Sequence, residues 1–379
     1  MQNAKFLADK NQKGLVFSRQ ISNFADNMTI NEYFDDAIVL LQNLIATPSV
    51  SRDEAAAATL LTGKMEQWGL SPQREGNNVW SICPDYDEKR ETILLNAHID
   101  TVKPVSSWTR NPYEPIIEGD RLYGLGANDC GGGLVSLLQV YRYLITVTER
   151  PFNVVFLASC EEEVSGKDGI SRVLPLLPHI DVAIVGEPTG MQPATAEKGL
   201  MVIDGYARGK SGHAARNEGV NAIYEALDDL LWLREHQYSN PSPLLGATKA
   251  TVTVVEAGTQ HNVIPDTLHF IVDVRTNEND VNEAFYKYLC VHMKHCELKP
   301  RSFRLHSSSI SHEHPLIRRC IAMGMKPFGS PTLSDQALMD FPSFKLGPGE
   351  SSRSHSADEY ICLSEIRHAL DIYWHLLTP

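Results

Sequence analysis

Three apolar runs, each closing on acidic or imidazole side chains, constrain this chain more than any other feature. Val154 to Ala158 is an unbroken apolar run rich in β-branched and aromatic residues, followed at once by Glu161, Glu162 and Glu163. Thr92–His98 (TILLNAH) closes on His98-Ile-Asp100, and Asp181–Gly186 (DVAIVG) closes on Glu187. Short apolar runs without alternation are strands buried on both faces, as in a parallel sheet. Adjacent carboxylates at the mouth of such a strand repel, and desolvation raises the cost of keeping them all ionised. A bound multivalent cation removes that conflict. An isolated EEE is ordinarily a solvated loop; here the same arrangement recurs along the chain.

Between the strands lie helical patterns. Thr29-Ile-Asn-Glu32 is a capping box for a helix running to about Ala46, ahead of Pro48. Ser51-Arg-Asp-Glu54 reads as a second capping box, for a helix ending near Trp68-Gly69. Helices are expected over Gly131–Leu144 and Gly166–Leu177, and strands over Asn78–Ile82 and Ser343–Leu346. Strands alternating with helices give a mostly parallel α/β domain. From residue 200 the order becomes β-α-β-β-α-β: strands over 201–207, 250–256, 267–275 and 298–305, and helices over 220–234 and 280–295. That is the split ferredoxin-like α+β arrangement, inserted between two parts of the larger domain. The expected domains are therefore 29–199 and 312–379 for the α/β domain and 200–311 for the insert. Residues 1–28 show no periodicity and read as a loosely attached extension, with Met28 an alternative start.

The formal net charge is 34 − 47 = −13, with no Lys/Arg cluster. This argues against nucleic acid and anionic membranes as partners. Seven cysteines at irregular spacing do not form a disulfide framework. No apolar run is long enough to span a bilayer, and the N-terminus lacks the plan of a secretory signal. The chain reads as a reduced, cytoplasmic enzyme.

Every candidate ligand in the larger domain follows a strand or a Gly-rich turn: His98 and Asp100, Asp129, Glu162 and Glu163, Glu187, and His355. Open α/β sheets bind ligands at the carboxyl ends of their strands. Two imidazoles and several carboxylates on one edge suit Zn²⁺, with Mn²⁺ or Co²⁺ as substitutes. Positions i and i+2 of a strand face the same side. The Asp100 carboxylate is thus expected to accept the ring N–H of His98 and fix its tautomer. Cys290-x-His292-x-x-His295-Cys296 has metal-like letters, but helical spacing among apolar neighbours favours packing.

The motifs AHIDTV (97–102), GLGANDCGGG (124–133), ASCEEEVSG (158–166), VGEPTG (185–190), GKSGHAAR (209–216) and SRSHSADE (352–359) resemble the M20 metallopeptidase family, above all its acetylornithine deacetylase and succinyl-diaminopimelate desuccinylase branch. The likeness runs in the family's order from about Met28 onward. It implies two Zn²⁺ per subunit: His98 and Glu187 on one, Glu163 and His355 on the other, and Asp129 bridging. It implies Glu162 as general acid/base, Asp100 as the partner of His98, and a homodimer through the inserted domain. His213 would reach the reacting carbonyl across that dimer, and Asn262 and Arg275 would hold a substrate carboxylate. The sequence departs from the family in having Cys130-Gly131 after the bridging Asp, and Arg216-Asn217 near the place of a common Pro. The implied activity is removal of an acyl group from an N-α-acyl amino acid, N-acetyl- or N-succinyl-ornithine foremost, in arginine biosynthesis. The rivals are derivatives of diaminopimelate, lysine or citrulline, an aminopeptidase or dipeptidase on the same scaffold, and a catalytically silent binding protein.

Overall fold

The computed structural model describes residues 28–216 and 218–378. The reading of the N-terminal extension therefore falls, Met28 apart, outside the described residues. In chain order the main elements are α1 Ile30–Ile45, α2 Ala55–Gln67, β1 Gln73–Glu75, β2 Asn78–Ile82, β3 Thr92–His98, β4 Ile116–Glu118, β5 Arg121–Tyr123, α3 Gly132–Leu144, β6 Asn153–Ser159, β7 Val182–Val185, β8 Ala194–Glu197, β9 Met201–Arg208, β10 Gly212–His213, α4 Ala222–Glu235, β11 Lys249–Ala257, β12 Val263–Ile264, β13 Thr267–Arg275, α5 Asn282–His292, β14 Glu297–Pro300, β15 Ser308–Ser309, α6 Pro315–Ala322, β16 Phe328–Ser330, β17 Ser343–Lys345, β18 Tyr360–Cys362 and α7 Leu363–Leu377.

Two compact units emerge. Of the described residues, the first comprises 28–193, 312–327 and 340–378; the second comprises the described part of 194–311 together with 328–339. The expected boundaries shift accordingly. Residues 194–199 and 328–339 group with the insert because β8 pairs with β15 and β16.

In the first unit the strands run β1-β2-β6-β3-β7-β17. β3 lies parallel to both β6 and β7, and β17 is parallel to β7. Within this run of strands β1 and β2 are antiparallel, at one edge. Every residue of β3, β6 and β7 is buried, as their apolar letters require. The sequence places no polar face on these strands because both of their faces are covered. α3 packs on β3 and β6 and against α1 and α7. Its approach is close: a Cβ on Gly133 would lie 1.7 Å from the Gly186 carbonyl oxygen. Only glycine lets that helix start sit on the β7 end.

The Thr29 capping box forms as expected, with Thr29 Oγ1 accepting from the Glu32 N–H and Glu32 Oε2 accepting from the Thr29 N–H. The Ser51 box does not form. The Ser51 hydroxyl is turned to Asp100, and Glu54 precedes α2 without a side-chain cap. Glu54 is instead buried, accepting from the main-chain N–H of Arg52 and Glu161 and from Asn77 Nδ2. The helix expected over 166–177 shrinks to one α-turn, Ile170–Val173, and a 3₁₀ turn, Leu174–Leu176. Gly166 and Gly169 hold the chain against Cys160 and Glu161, and Pro175 denies a donor to a longer helix.

The second unit carries a four-stranded antiparallel sheet ordered β11-β13-β9-β14. This is the split β-α-β-β-α-β topology. β9 and β13 alternate between buried and partly exposed residues, as a sheet with helices on one face should. Met201, Ile203, Ala207, Phe270, Val272 and Val274 meet Ala226, Leu233 and Leu289 in its core. α5 is shorter than expected and ends at His292. The Met293 N–H still donates to the Leu289 carbonyl, and the N–H groups of Lys294, His295 and Cys296 then donate to the buried Asp229 carboxylate. No helix among the described residues is long and apolar enough to cross a membrane.

Candidate metal centre

The site residues of the first unit arrive on separate elements at the C-terminal edge of the sheet. His98 is the last residue of β3 and is buried. Asp129 sits in the turn before α3, where its backbone and that of Cys130 depart from helical geometry and the peptide between them is cis. Glu162 and Glu163 lie on a short 3₁₀ turn after β6. Glu187 follows β7, and His355 lies in the loop before β18 with a left-handed φ of 58°.

Asp129 stands between two imidazoles. Its Oδ1 is 3.3 Å from His98 Nε2 and its Oδ2 is 3.4 Å from His355 Nε2. His98 Nε2 also lies 3.7 Å from Glu187 Oε1, and His355 Nε2 lies 2.9 Å from Glu163 Oε2. The five side chains thus form two overlapping clusters that share one carboxylate. His98, Asp129 and Glu163 offer donor atoms within 4.8 Å of one another, and so do His98, Cys130 and Glu187.

The donor set fits divalent cations. Glu187 Oε1 is buried with no hydrogen-bond partner among the described residues, a costly state for a carboxylate oxygen unless a cation meets it. Burial pushes the Glu187 carboxyl up to about 8, aided by the negative charges of Asp129 and Glu163. The hydrogen bond to Glu163 pushes His355 up to about 9. Burial works against a charge on His98, but Cys130, Asp100 and Asp129 around it raise its pKa well above the ordinary value. Two imidazoles whose pKa values are raised by the acids around them mark a place where positive charge is wanted.

Asp100 holds this edge together, though not by the atom expected. His98 Nδ1 lies 2.9 Å from the Asp100 main-chain carbonyl and 3.6 Å from its carboxylate. At those distances the ring N–H donates to the carbonyl, which leaves Nε2 with its lone pair facing Asp129 and Glu187. The reason is that the Asp100 carboxylate is already engaged. It accepts the Ser51 hydroxyl at 2.7 Å, the Glu162 N–H at 3.1 Å and the Glu163 N–H at 3.2 Å. Burial alone would raise the Asp100 pKa, but these donors and the nearby His98 ring hold it below the ordinary value. Asp100 therefore ties the β3 end to the turn bearing Glu162 and Glu163. Glu161, with a left-handed φ of 55°, supports the same turn by donating its N–H to Glu54.

Two further residues escaped the sequence reading. Glu359, the last letter of SRSHSADE, is buried and accepts three main-chain N–H groups of the Asp129 turn. Asn128 joins that turn to the loop carrying His355. Both lie inside quoted motifs, Glu359 four residues after His355 and Asn128 directly before Asp129; that adjacency was the available signal. Cys130 Sγ accepts the His98 main-chain N–H at 3.2 Å, and burial raises its thiol pKa.

A model of peptidase family M20/M25/M40 matches residues 94–378. The chain belongs to this family. It is 27% identical over 363 residues to the acetylornithine deacetylase of Edwardsiella ictaluri, covering 88% of this chain and 94% of that protein. It is 28% identical over 355 residues to the acetylornithine deacetylase of Pectobacterium carotovorum, covering 86% and 92%. Its fold is similar to that of the aminopeptidase PepT from Bacillus cereus, with a TM-score of 0.73, 19% identity, and 91% and 98% of the two chains covered. It is similar also to the YXEP protein of Bacillus subtilis, a dinuclear metal binding peptidase of the M20 family, with a TM-score of 0.70, 18% identity, and 92% and 98% covered. This M20 protein is a metal-dependent hydrolase of amides.

His213, Asn262 and Arg275 belong to the second unit. His213 is exposed on β10, paired with Val263 of β12, and the Asn262 carbonyl accepts the Ala214 N–H, so His213 and Asn262 share one hairpin-like patch. Arg275 ends β13 and gives its Nε and Nη2 to the Asp273 carboxylate. The Cys290–Cys296 run serves packing: His292 stacks on Trp232, and Asp229 takes up the N–H groups after α5. All seven cysteines are free thiols.

Proposed function

We propose that this M20 protein is a two-metal deacylase that cleaves the amide of an N-α-acyl amino acid, N-acetyl-L-ornithine foremost, releasing ornithine and the carboxylate. The observation that carries the two-metal reading is Asp129, whose two oxygens face two different imidazoles at 3.3 and 3.4 Å. The names of the curated relatives support the substrate. His98, Asp129 and Glu187 would hold one ion and Asp129, Glu163 and His355 the other, with zinc the best match to imidazole and carboxylate donors. Bound ions of this kind supply Lewis acidity to an amide carbonyl and to water.

The chain's own residues do the rest. The Asp100 carbonyl keeps His98 in one tautomer and its carboxylate anchors the main chain of Glu162. Glu162 takes the proton of the attacking water and passes it to the leaving nitrogen. His213 donates to the oxyanion that forms at the carbonyl. Asn262 and Arg275 bind the substrate carboxylate, the guanidinium being aimed by Asp273.

A homodimer through the second unit is part of the same reading. β11 is an edge strand exposing Val254 and Val255, and α4, packed on it, exposes Tyr224, Leu227 and Leu231. A free edge beside an apolar helix face is a surface that a second copy covers by symmetric pairing. A cytoplasmic location accords with seven free thiols.

The test is a hydrolysis panel of acetyl- and succinyl-ornithine, other N-acyl amino acids, dipeptides and tripeptides, with and without chelator. Chelator-sensitive turnover of acetylornithine above all others is expected. Preference for peptides with a free α-amine would move the chain to the peptidase reading. Stoichiometric metal with no turnover of any amide would leave a binding protein.

A further inference from the structure

The Asp129 turn and the His355 loop are bound to each other by two residues that are not ligands. Glu359 Oε1 accepts the N–H of Asn128 at 2.8 Å and of Asp129 at 2.9 Å, while Oε2 accepts the N–H of Gly126 at 3.1 Å. Glu359 is 2% exposed. In the other direction, Asn128 Oδ1 accepts the Glu350 N–H at 3.0 Å, and its Nδ2 donates to the Glu350 carbonyl at 3.1 Å and to Ser354 Oγ at 3.4 Å. Glu359 lies four residues after His355, and Glu350 five before it. The loop that carries His355 thus grips the Asp129 turn at both of its ends.

We propose that Glu359 and Asn128 form a reciprocal latch that sets the position of Asp129 relative to His355, and that Glu359 is a positioning residue for the second metal. The proposal rests on the two-metal reading. Asp129 departs from helical geometry at φ −117° and ψ 97°, so its carboxylate is aimed by what holds its main chain. Three N–H groups converging on one buried carboxyl hold it more firmly than solvent would, because all three bonds are shielded from water. With the latch cut, the Asp129 turn and the His355 loop no longer have a fixed separation, and a cation between them loses one donor or the other.

The test measures zinc affinity and stoichiometry by equilibrium dialysis on the whole protein and its Glu359→Ala, Glu359→Gln and Asn128→Ala variants, with folding followed by circular dichroism. Glu359→Ala is expected to weaken the second zinc by about tenfold or more, the range seen when a partner behind a ligand is removed, and to lower kcat with little change in KM. Glu359→Gln should recover part of that affinity, since its amide oxygen can still accept from Asn128 and Asp129 while its NH₂ opposes the Gly126 N–H. A role in folding alone would lower the melting temperature and leave the affinity of the folded protein intact. Folded Glu359→Ala with wild-type affinity overturns the proposal. If that variant does not fold, wild-type affinity in both Glu359→Gln and Asn128→Ala overturns it. A wild-type protein that binds no second zinc defeats the two-metal reading and this proposal together.

Discussion

Ser51 donates its hydroxyl to the Asp100 carboxylate at 2.7 Å, across a sequence separation of 49 residues. The same carboxylate takes the N–H groups of Glu162 and Glu163, so one acid fixes both the histidine end and the glutamate turn of the centre. Asp100→Asn replaces an acceptor oxygen with an amide that cannot serve all three donors. A fall in kcat of about 10- to 100-fold is expected, as for other partners behind metal ligands. Ser51→Ala removes one donor from an acid that keeps two and should cost only about 1–3 kcal/mol of stability. Steady-state kinetics and denaturant unfolding of both variants check the order; equal loss of activity in the two would deny Asp100 this role.

Metal removal should destabilise the protein most at alkaline pH. Glu187, raised to about 8, holds a proton in the folded apoprotein that the unfolded chain, near its ordinary 4.5, has lost. Stability therefore falls as pH rises from about 4.5 to about 8. His355, raised to about 9 from 6.5, acts in the same direction: its contribution is complete below 6.5 and gone above 9. Asp100 and Asp129, both depressed, lose their contributions only in acid, outside this window. Thermal melts from pH 6 to 9 with and without chelator should show a widening gap. A gap of constant width would contradict the assignment of these groups as metal donors.

Much of this was legible in the sequence. β3, β6 and β7 carry the apolar runs Ile93–Leu95, Val154–Ala158 and Val182–Val185 because both faces are covered. The Thr29–Glu32 box is local, its partners three residues apart, and it forms. Ser51 shows why local grammar fails elsewhere: the same letters meet a distant Asp100, and a charge-assisted bond in a buried site outcompetes a cap at an exposed helix start. The 166–177 segment failed as a helix for a related reason, since Gly166 and Gly169 are held by tertiary contacts with Cys160 and Glu161. The roles of Glu359 and Asn128 were hidden because their partners are main-chain N–H and C=O groups, which every residue carries and no letter marks.

Glu162 is anchored through its own N–H but is not among the clustered donors. Glu162→Gln should therefore keep both metals while losing proton transfer, a fall in kcat of about 10²–10⁴-fold. Metal analysis alongside the kinetics separates the two effects. A variant that loses metal in proportion to activity would make Glu162 a ligand instead.

His213 is exposed on its unit, and its Nδ1 accepts the Ala215 N–H, which leaves Nε2 as the ring's outward donor. His213→Ala should lower kcat by about 10²–10³-fold with KM nearly unchanged, because an oxyanion donor acts on the transition state more than on bound substrate. If the residue serves the partner's site, two dead variants should rescue each other. Mixed after partial unfolding and refolding, His213→Ala and Glu162→Gln chains form heterodimers in which one of the two sites pairs an intact Glu162 with an intact His213 from the other subunit. Activity should reappear in the mixture, and sedimentation should show the dimer. If the two subunits exchange, as differently tagged chains would reveal, and the mixture stays inactive, His213 does not act across the dimer.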